Sequence, residues 1–308
     1  MKFHLHRVWK PAATAMLALV AGSAEAAFRD PLWSARAAAL GGAFTALGDD
    51  PTAAFYNPAA TTELKSPAAN FTYAKLFAGL DEVNVSLSEF AYVRPLKSFN
   101  VLSVGWGSVN ASGLRREDTV TLGVAHLFRD LGDLGNLSLG VSGRWLSQSF
   151  TLDNRTSSDP VFRDGRTRND FALDLHAHVT EVDALSRNLA LGVSLRAVNR
   201  PDIGFASKDK LPMEAVLGLA YRWRNCTLPL DIVQRGSDVT PEAGLEARFA
   251  ADHLSLRFGS DTHSLGTGLG YRYERPNGLV LSFDYAFLWP LNIQGTSGSH
   301  RATLGVRF

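Results

Sequence analysis

Asp174, His176 and His178 are the residues whose types and spacing first suggest chemistry in this 308-residue chain. They alternate with Leu175 and Ala177, so in an extended strand their side chains project from one face. Two imidazoles and a carboxylate supply part of a metal site, and the sequence does not place the further ligand that such a site needs. We therefore interpret them as polar residues that line the inside of a larger sheet, and we predict no metal site and no cofactor.

Serine and histidine residues are also available for a hydrolytic site, but no serine stands out as a nucleophile by its context. Gly266, Gly268 and Gly270 alternate within an apparent strand and lack the spacing of a dinucleotide-binding loop. Small residues that lie beside a plug or a lumen explain this pattern better. The sequence therefore predicts that the chain is not an enzyme.

The bulk composition excludes two further properties. The formal net charge is +1, which gives no electrostatic reason to expect binding of nucleic acid. Cys226 is the only cysteine, so no disulfide can form within the chain.

The N-terminus has the pattern of an export signal. Basic residues precede a mostly apolar run over 12–22, and Ala24-Glu25-Ala26 places small residues where a signal peptidase cleaves. We predict that residues 1–26 are a removable signal peptide; the alternative is a short membrane anchor, although its core is too short to span a bilayer comfortably. No later stretch approaches the ~20 apolar residues of a transmembrane helix. If the mature chain lies in a membrane, it must do so as a barrel or in a surface-bound form.

From Phe71 onward, apolar and polar residues alternate as they do in strands with one apolar face. Leu191 and Val193, for example, face away from Gly192 and Ser194. About fourteen such runs occur, and most are near the ~9–11 residues of a tilted transmembrane strand. Their approximate spans are 68–75, 85–94, 100–109, 118–128, 136–150, 169–180, 188–198, 213–224, 227–234, 240–250, 253–260, 264–274, 278–289 and 299–308.

The second run contains an irregularity. Its first apolar residues, Val85 and Leu87, stand at odd-numbered positions, whereas Phe90 and Tyr92 stand at even-numbered positions and so face the other side of the strand. A bulge near Glu89 would reconcile the two halves, and it raises the hypothesis of a defect in the wall of a barrel.

The connections and charges favour a membrane barrel over the alternative, a large soluble β-sandwich. Short gaps alternate with several longer polar gaps, at 151–168, 199–212 and 290–298, as in outer-membrane barrels. The arginines lie on the polar faces of the strands. They thereby avoid the free-energy cost of about 2–4 kcal/mol that a basic residue has on the lipid face at the bilayer midplane. We predict that the lumen-lining residues include Arg144, Asp174, His176, Arg196, Arg222, Arg257, Arg272 and Asp284.

Residues 27–66, the plug segment, differ from the strands. They are rich in alanine and contain Ser34–Leu47 and Asp49–Ala59, two stretches that resemble the N-terminal signature of FadL-type outer-membrane transport proteins and of the smaller PorV/PorQ-type barrels. The positions that carry the resemblance are Gly41, Gly42, Asp49, Asp50, Asn57 and Pro58. The chain departs from the family at Ala60-Thr61, where Gly-Leu is frequent, and it is shorter than the fatty-acid transporters.

The resemblance implies an all-β, transmembrane, antiparallel up-and-down barrel of about fourteen strands, formed by residues 67–308, with a short helical plug inside. It also implies a bacterial outer membrane of the Gram-negative type, contact with its lipid, and recognition of the terminal aromatic Phe308 by the barrel-assembly machinery. We expect passive transport of hydrophobic small molecules, with an apolar pocket at the outer mouth rimmed by 199–212 and 290–298. The alternative is a non-transporting barrel that binds a partner protein in secretion or envelope assembly.

Overall fold

A closed antiparallel barrel of fourteen strands encloses residues 31–66 of the plug segment. The computed structural model describes residues 28, 31–80, 84–97, 100–152, 157–163, 165–182 and 185–308. The predicted signal peptide, residues 1–26, lies outside the described residues. The strands are β1 (Ala68–Leu76), β2 (Val85–Pro95), β3 (Asn100–Ala111), β4 (Arg115–Phe128), β5 (Asn136–Phe150), β6 (Thr167–Val182), β7 (Ser186–Arg196), β8 (Glu214–Trp223), β9 (Cys226–Arg235), β10 (Asp238–Phe249), β11 (Leu254–Ser260), β12 (Ser264–Glu274), β13 (Val280–Pro290) and β14 (Ser299–Arg307).

Each strand pairs with its neighbours in the chain, and β14 pairs with β1 to close the barrel. That seam runs without interruption from Ala68 opposite Arg307 to Lys75 opposite His300. The predicted fold class and strand number are therefore confirmed. Because the strand number is even, the chain enters and leaves the barrel at one end. The long connections, 151–166 and 197–213, lie at the other end, which is the outer end by the usual rule for such barrels.

The outward faces of the strands carry the apolar parity. Leu217, Phe258 and Leu304 are each more than half exposed, which a soluble sheet would avoid by burying them in a core. No helix among the described residues is long and apolar enough to span a membrane.

The predicted bulge near Glu89 is wrong. β2 pairs in unbroken register with β1 from Leu76 opposite Val85 to Ala68 opposite Val93, and it pairs with β3 along its whole length. The parity changes because Leu87 faces inward and is buried against the plug segment. The hypothesis of a wall defect at this position therefore loses its basis.

Two other positions interrupt the ladders. The register shifts between Thr180 and Val182, where β6 meets β7. The ladder between β9 and β10 keeps its register but skips Gly244 and Leu245, which stand opposite Pro229 and Leu228. Pro229 has no N–H to donate.

The core lies inside the barrel, around two short helices of the plug segment, α1 (Ala35–Ala39) and α2 (Ala53–Tyr56), and a 3-10 helix (Ala60–Glu63). Ser34 caps α1 by accepting a hydrogen bond from the Ala37 N–H at 3.1 Å. The turn after α1 uses Gly41 and Gly42 with φ angles of 67° and 92°, a conformation that favours glycine.

Inward glycines of the wall allow the plug segment to approach the strand backbones. A Cβ added to Gly266 would overlap the carbonyl oxygen of Ala38, and one added to Gly259 would overlap the backbone of Leu40. The interpretation of the 266–270 glycines as small residues beside a plug agrees with these contacts.

We predict that Gly259→Ala destabilises the barrel by about 1–3 kcal/mol, because the new methyl meets backbone atoms that cannot move aside. Gly143→Ala is the control, since its methyl faces the exposed ring of Phe171, which can rotate away. The free energy of unfolding, from urea denaturation in bilayers, measures both effects. Equal losses in the two variants would contradict the close packing of the plug segment.

Candidate functional site

An ion-pair lattice joins the plug segment to the wall near the periplasmic end. The Arg36 guanidinium lies 2.8 Å from an Asp49 oxygen and 2.9 Å from a Glu246 oxygen. Glu246, only 1% exposed, also accepts from Arg248 at 2.7 Å and from Arg257 at 2.6 Å. The lattice comprises Arg36, Asp49, Glu246, Arg248, Arg257 and Asp284, and the last of these accepts from Arg257 at 2.5 Å.

The plug motif residues hold the turns of the segment in place. Asn57 donates to the carbonyl oxygens of Thr45 at 2.9 Å and Ala177 at 3.0 Å, and it accepts from the Ala59 N–H. Pro58 packs against Gly123, at the contact where a Cβ on that glycine would meet the proline ring. These residues therefore connect the plug segment to itself and to the wall.

Asp49 and Asp50 are adjacent but have different electrostatic surroundings. Burial alone would raise the pKa of Asp49, but Arg36 and Arg248 hold that pKa well below its ordinary value. Burial raises the pKa of Asp50 above its ordinary value. The Arg36 guanidinium opposes this effect only in part, from a distance of 3.7 Å.

The residues that first suggested a metal site are engaged in other contacts. Asp174 accepts from Arg144 at 2.7 and 2.9 Å, and His176 contacts the hydroxyls of Ser142 at 2.9 Å and Ser194 at 3.0 Å. His178 lies 3.3 Å from the carbonyl oxygen of Ala46. In the part of the chain that the structure describes, no group of three or more His, Cys, Asp or Glu residues could hold a metal ion.

The remaining predicted lumen residues form separate contacts. Arg196 donates to Glu214 at 2.6 Å and to the carbonyl oxygen of Tyr56 at 3.1 Å. Arg222 pairs with Glu63 of the plug segment at 2.9 Å, whereas Arg272 lies 4.0 Å from Glu274 at the rim. The structure thus gathers Arg257 and Asp284 into the lattice and distributes the others around the lumen.

Phe308, the predicted assembly signal, follows the end of β14. Its side chain is 60% exposed, and its N–H donates to the carbonyl oxygen of Pro67 at 2.9 Å. The terminal aromatic is therefore available on the outside of the barrel, beside the start of the first strand.

A cavity of about 710 Å³ opens at the outer end of the barrel. Its lining is largely apolar and comes from the ends of several strands and from the plug segment: Leu32, Leu76, Phe77, Val109, Leu288 and Ile293. Polar and charged residues also line it: Arg115, Glu117, Asp261, His263, Ser264, Asn292, Ser299 and Arg301. We call this cavity the outer pocket.

The predicted rim of the outer pocket is half correct. Residues of 290–298 line it, but Leu211 and Pro212, from the other predicted segment, line a separate cavity of about 50 Å³ beside Trp33 and Phe55. The loop over 197–213 runs toward β5 and β6, where Arg168 donates to the carbonyl oxygen of Gly204, rather than across the mouth.

The start of the plug segment forms the floor of the outer pocket. Arg301 donates to the carbonyl oxygens of Leu32 at 2.5 Å and Pro31 at 2.7 Å. Phe28 is held by Glu117, which accepts from its N–H at 3.3 Å, and by Arg235, which donates to its carbonyl oxygen at 3.2 Å. Below this floor, plug residues are almost completely buried, so the described residues fill the lumen.

Two solved structures match this architecture over nearly their whole length. The toluene transporter TbuX of Ralstonia pickettii aligns with a TM-score of 0.60 and 12% identity, covering 90% of this chain and 98% of that chain. The monoaromatic hydrocarbon channel CymD aligns with a TM-score of 0.59 and 12% identity, covering 90% and 97%. The chain has the FadL-type barrel fold.

The toluene transporter TodX of Pseudomonas putida is similar as well, with a TM-score of 0.51 and 11% identity over 89% of this chain and 96% of that chain. No family model and no curated protein sequence matches the chain. A FadL-type barrel with an apolar outer surface belongs in a bacterial outer membrane, where its outward side chains contact lipid.

Sequence reasoning missed the apolar residues that face inward, because strand alternation assigns apolar side chains to the lipid. Leu76, Leu87 and Val109 have the inward parity and pack toward the plug segment or the outer pocket. The change of parity within β2 was the available signal of this apolar part of the lumen.

We predict that Glu246→Gln destabilises the protein by about 3–5 kcal/mol, because three arginines then lose the buried carboxylate that they share. Proteolysis of the plug segment should accelerate in parallel, since cleavage reports the open population. Asp118→Asn is the control, because its partner Arg116 is exposed and such surface pairs contribute about 0–1 kcal/mol. A Glu246→Gln protein as stable as the control would show that the lattice does not hold the plug segment.

Proposed function

We propose that this barrel takes up small apolar molecules passively, with the outer pocket as their first binding site. The supporting observation is the outer pocket itself, because its volume of about 710 Å³ is within the range of about 300–1,000 Å³ typical of small-molecule sites. A mostly apolar surface that also carries polar groups is typical of such sites. The pocket lies at the outer end, where a molecule from the medium arrives first.

The similarity to hydrocarbon channels supports small aromatic hydrocarbons as the substrate class. TbuX is a toluene transporter and CymD is a monoaromatic hydrocarbon channel, and both share the fold of this chain. An apolar molecule needs no hydrogen-bond partners, so Leu76, Phe77 and Ile293 provide a suitable surface for it.

The way out of the outer pocket requires movement. Pro31 and Leu32 separate it from the filled lumen, and Arg301 holds both of their carbonyl groups. A bound molecule therefore proceeds only if this floor moves or if neighbouring strands separate. The floor is a short stretch outside any helix or strand, so its displacement disturbs less structure than removal of the whole plug segment.

The filled lumen also favours a second candidate function, a non-transporting barrel that binds a partner protein in secretion or envelope assembly. Plug residues from Ala37 to Leu47 are nearly all buried, as expected if no solute passes. This candidate predicts a protein that co-purifies with the barrel and no ligand in the outer pocket.

We predict that Ile293→Glu causes an about tenfold loss of radiolabelled toluene uptake in cells that produce the protein. The reason is that a carboxylate in an apolar pocket weakens binding by at least ~1.4 kcal/mol. Leu291→Glu is the matched control, since it places the same charge in the same loop on a half-exposed side chain that does not line the pocket.

Equal amounts of folded protein in the outer membrane are the condition for the comparison. Uptake no greater than in cells without the protein, together with a co-purifying protein, would reject transport in favour of the second candidate. Equal uptake by the two variants would remove the outer pocket from the route.

A further inference from the structure

Two carboxyl groups next to the ion-pair lattice, those of Asp50 and Glu89, have no arginine of their own. The lattice is balanced by itself, because Arg36, Arg248 and Arg257 face Asp49, Glu246 and Asp284. Asp50 adds a fourth carboxyl group at 3.7 Å from an arginine that already serves Asp49 and Glu246. Glu89 adds a fifth, and neither of its oxygens has a hydrogen-bond partner among the described residues.

Asn70 connects these two groups. Its Nδ2 donates to Asp50 at 3.2 Å and to the hydroxyl of Thr52 at 2.5 Å. Its Oδ1 is buried and has no hydrogen-bond partner in the described part of the chain. Asn70 is paired with Ala91 across β1 and β2, so Glu89 is its diagonal neighbour on the same inward face, within reach of a long side chain.

The side-chain oxygens of Asp50, Asn70 and Glu89 are of the kinds that hard cations prefer. Carboxylate, amide and hydroxyl oxygens are the ordinary ligands of Ca²⁺, whereas a buried carboxylate without a partner is strongly unfavourable. Glu89 is completely buried and Asn70 is 4% exposed, so bulk water does not satisfy their free oxygens. Thr72, directly opposite Glu89, has a hydroxyl oxygen that lies 2.8 Å from the hydroxyl of Thr303.

We propose that one divalent hard cation, such as Ca²⁺, binds between Asp50, Asn70 and Glu89 and ties the plug segment to β1 and β2. The two positive charges of the ion neutralise the carboxylates of Asp50 and Glu89, which lie outside the ion-pair lattice. The site joins a residue of the plug segment to residues of two wall strands, so the bound ion stabilises the plugged form of the barrel. The proposal does not depend on what the outer pocket binds.

A route to this site is present at the periplasmic end. A cavity of about 120 Å³ is lined by Asp50, Asn70 and Thr303, and Thr303 pairs with Thr72 across the closing seam. The rest of the lining combines apolar residues with charged residues of both signs: Arg36, Arg248, Arg257, Arg272 and Arg307 against Asp49, Asp252 and Asp284. A hydrated cation that enters this cavity meets Asp50 and Asn70 directly.

The competing explanation is that Asp50 and Glu89 each carry a proton. Burial raises the pKa of Asp50, and neutral carboxyl groups need no cation. The two explanations differ in one measurable respect: a cation site binds Ca²⁺ with defined stoichiometry, and a pair of neutral acids does not.

The test is calorimetric titration of CaCl₂ into the purified, chelator-treated full-length barrel in detergent, with thermal unfolding as a second readout. We expect one Ca²⁺ per chain and a rise in Tm on its addition. Glu89→Gln and Asp50→Asn should each weaken binding at least tenfold. Glu274→Gln, which removes a carboxylate that is 57% exposed at the same end, should bind Ca²⁺ like the unmodified protein.

Three results would overturn the proposal. The first is no Ca²⁺ binding by the unmodified protein, with Glu89→Gln equally or more stable, as neutral acids predict. The second is undiminished binding by both Glu89→Gln and Asp50→Asn, which would place the ion elsewhere. The third is saturation by Na⁺ that Ca²⁺ does not displace. Folding of each variant is checked by its heat-dependent gel mobility, and Glu89→Asp, which keeps the charge, should retain part of the binding if Gln alone misfolds.

Discussion

A barrel of fourteen strands is too wide for its own inward side chains to fill, and this space must be occupied by something. In this protein the plug segment occupies it, and the wall is adapted to it in two ways. Inward glycines let backbone approach backbone, as at Gly266 beside Ala38. Inward arginines and carboxylates meet their opposites on the plug segment, as Arg222 meets Glu63. The interior polarity, the glycine positions and the short helices all follow from the need to fill the lumen.

The two ends of the lumen are filled by different means. Toward the periplasm the contacts are charged and close, with Glu246 at the centre of three guanidinium groups. Toward the outside apolar contacts are added to the charged ones, and the stacked rings of Trp33 and Phe55 lie 4.7 Å apart between their centroids. Charged groups hold the plug segment there too, but through its backbone carbonyl groups rather than through ion pairs, as Arg301 holds Leu32 and Arg196 holds Tyr56.

The sequence predicted the barrel well because one physical rule, apolar residues toward lipid, acts on every strand. The span 136–150 and the span 264–274 agree with β5 and β12 at both ends. The same rule failed at Leu87, where the inner neighbour is itself apolar. It also had no means to identify which strands bring Asp50 and Glu89 together, since their proximity depends on the path of the plug segment.

The closing seam has a consequence for the order of events in folding. β14, the last strand made, contacts the first residues of the plug segment, since Thr303 accepts from the Ala35 N–H at 2.9 Å and Arg301 holds Leu32. A helix packed as closely against the wall as α1 cannot enter a barrel that has already closed. The plug segment must therefore be in place before β14 closes on β1, and a barrel that has closed without its plug segment would have to reopen at the β1–β14 seam to admit it.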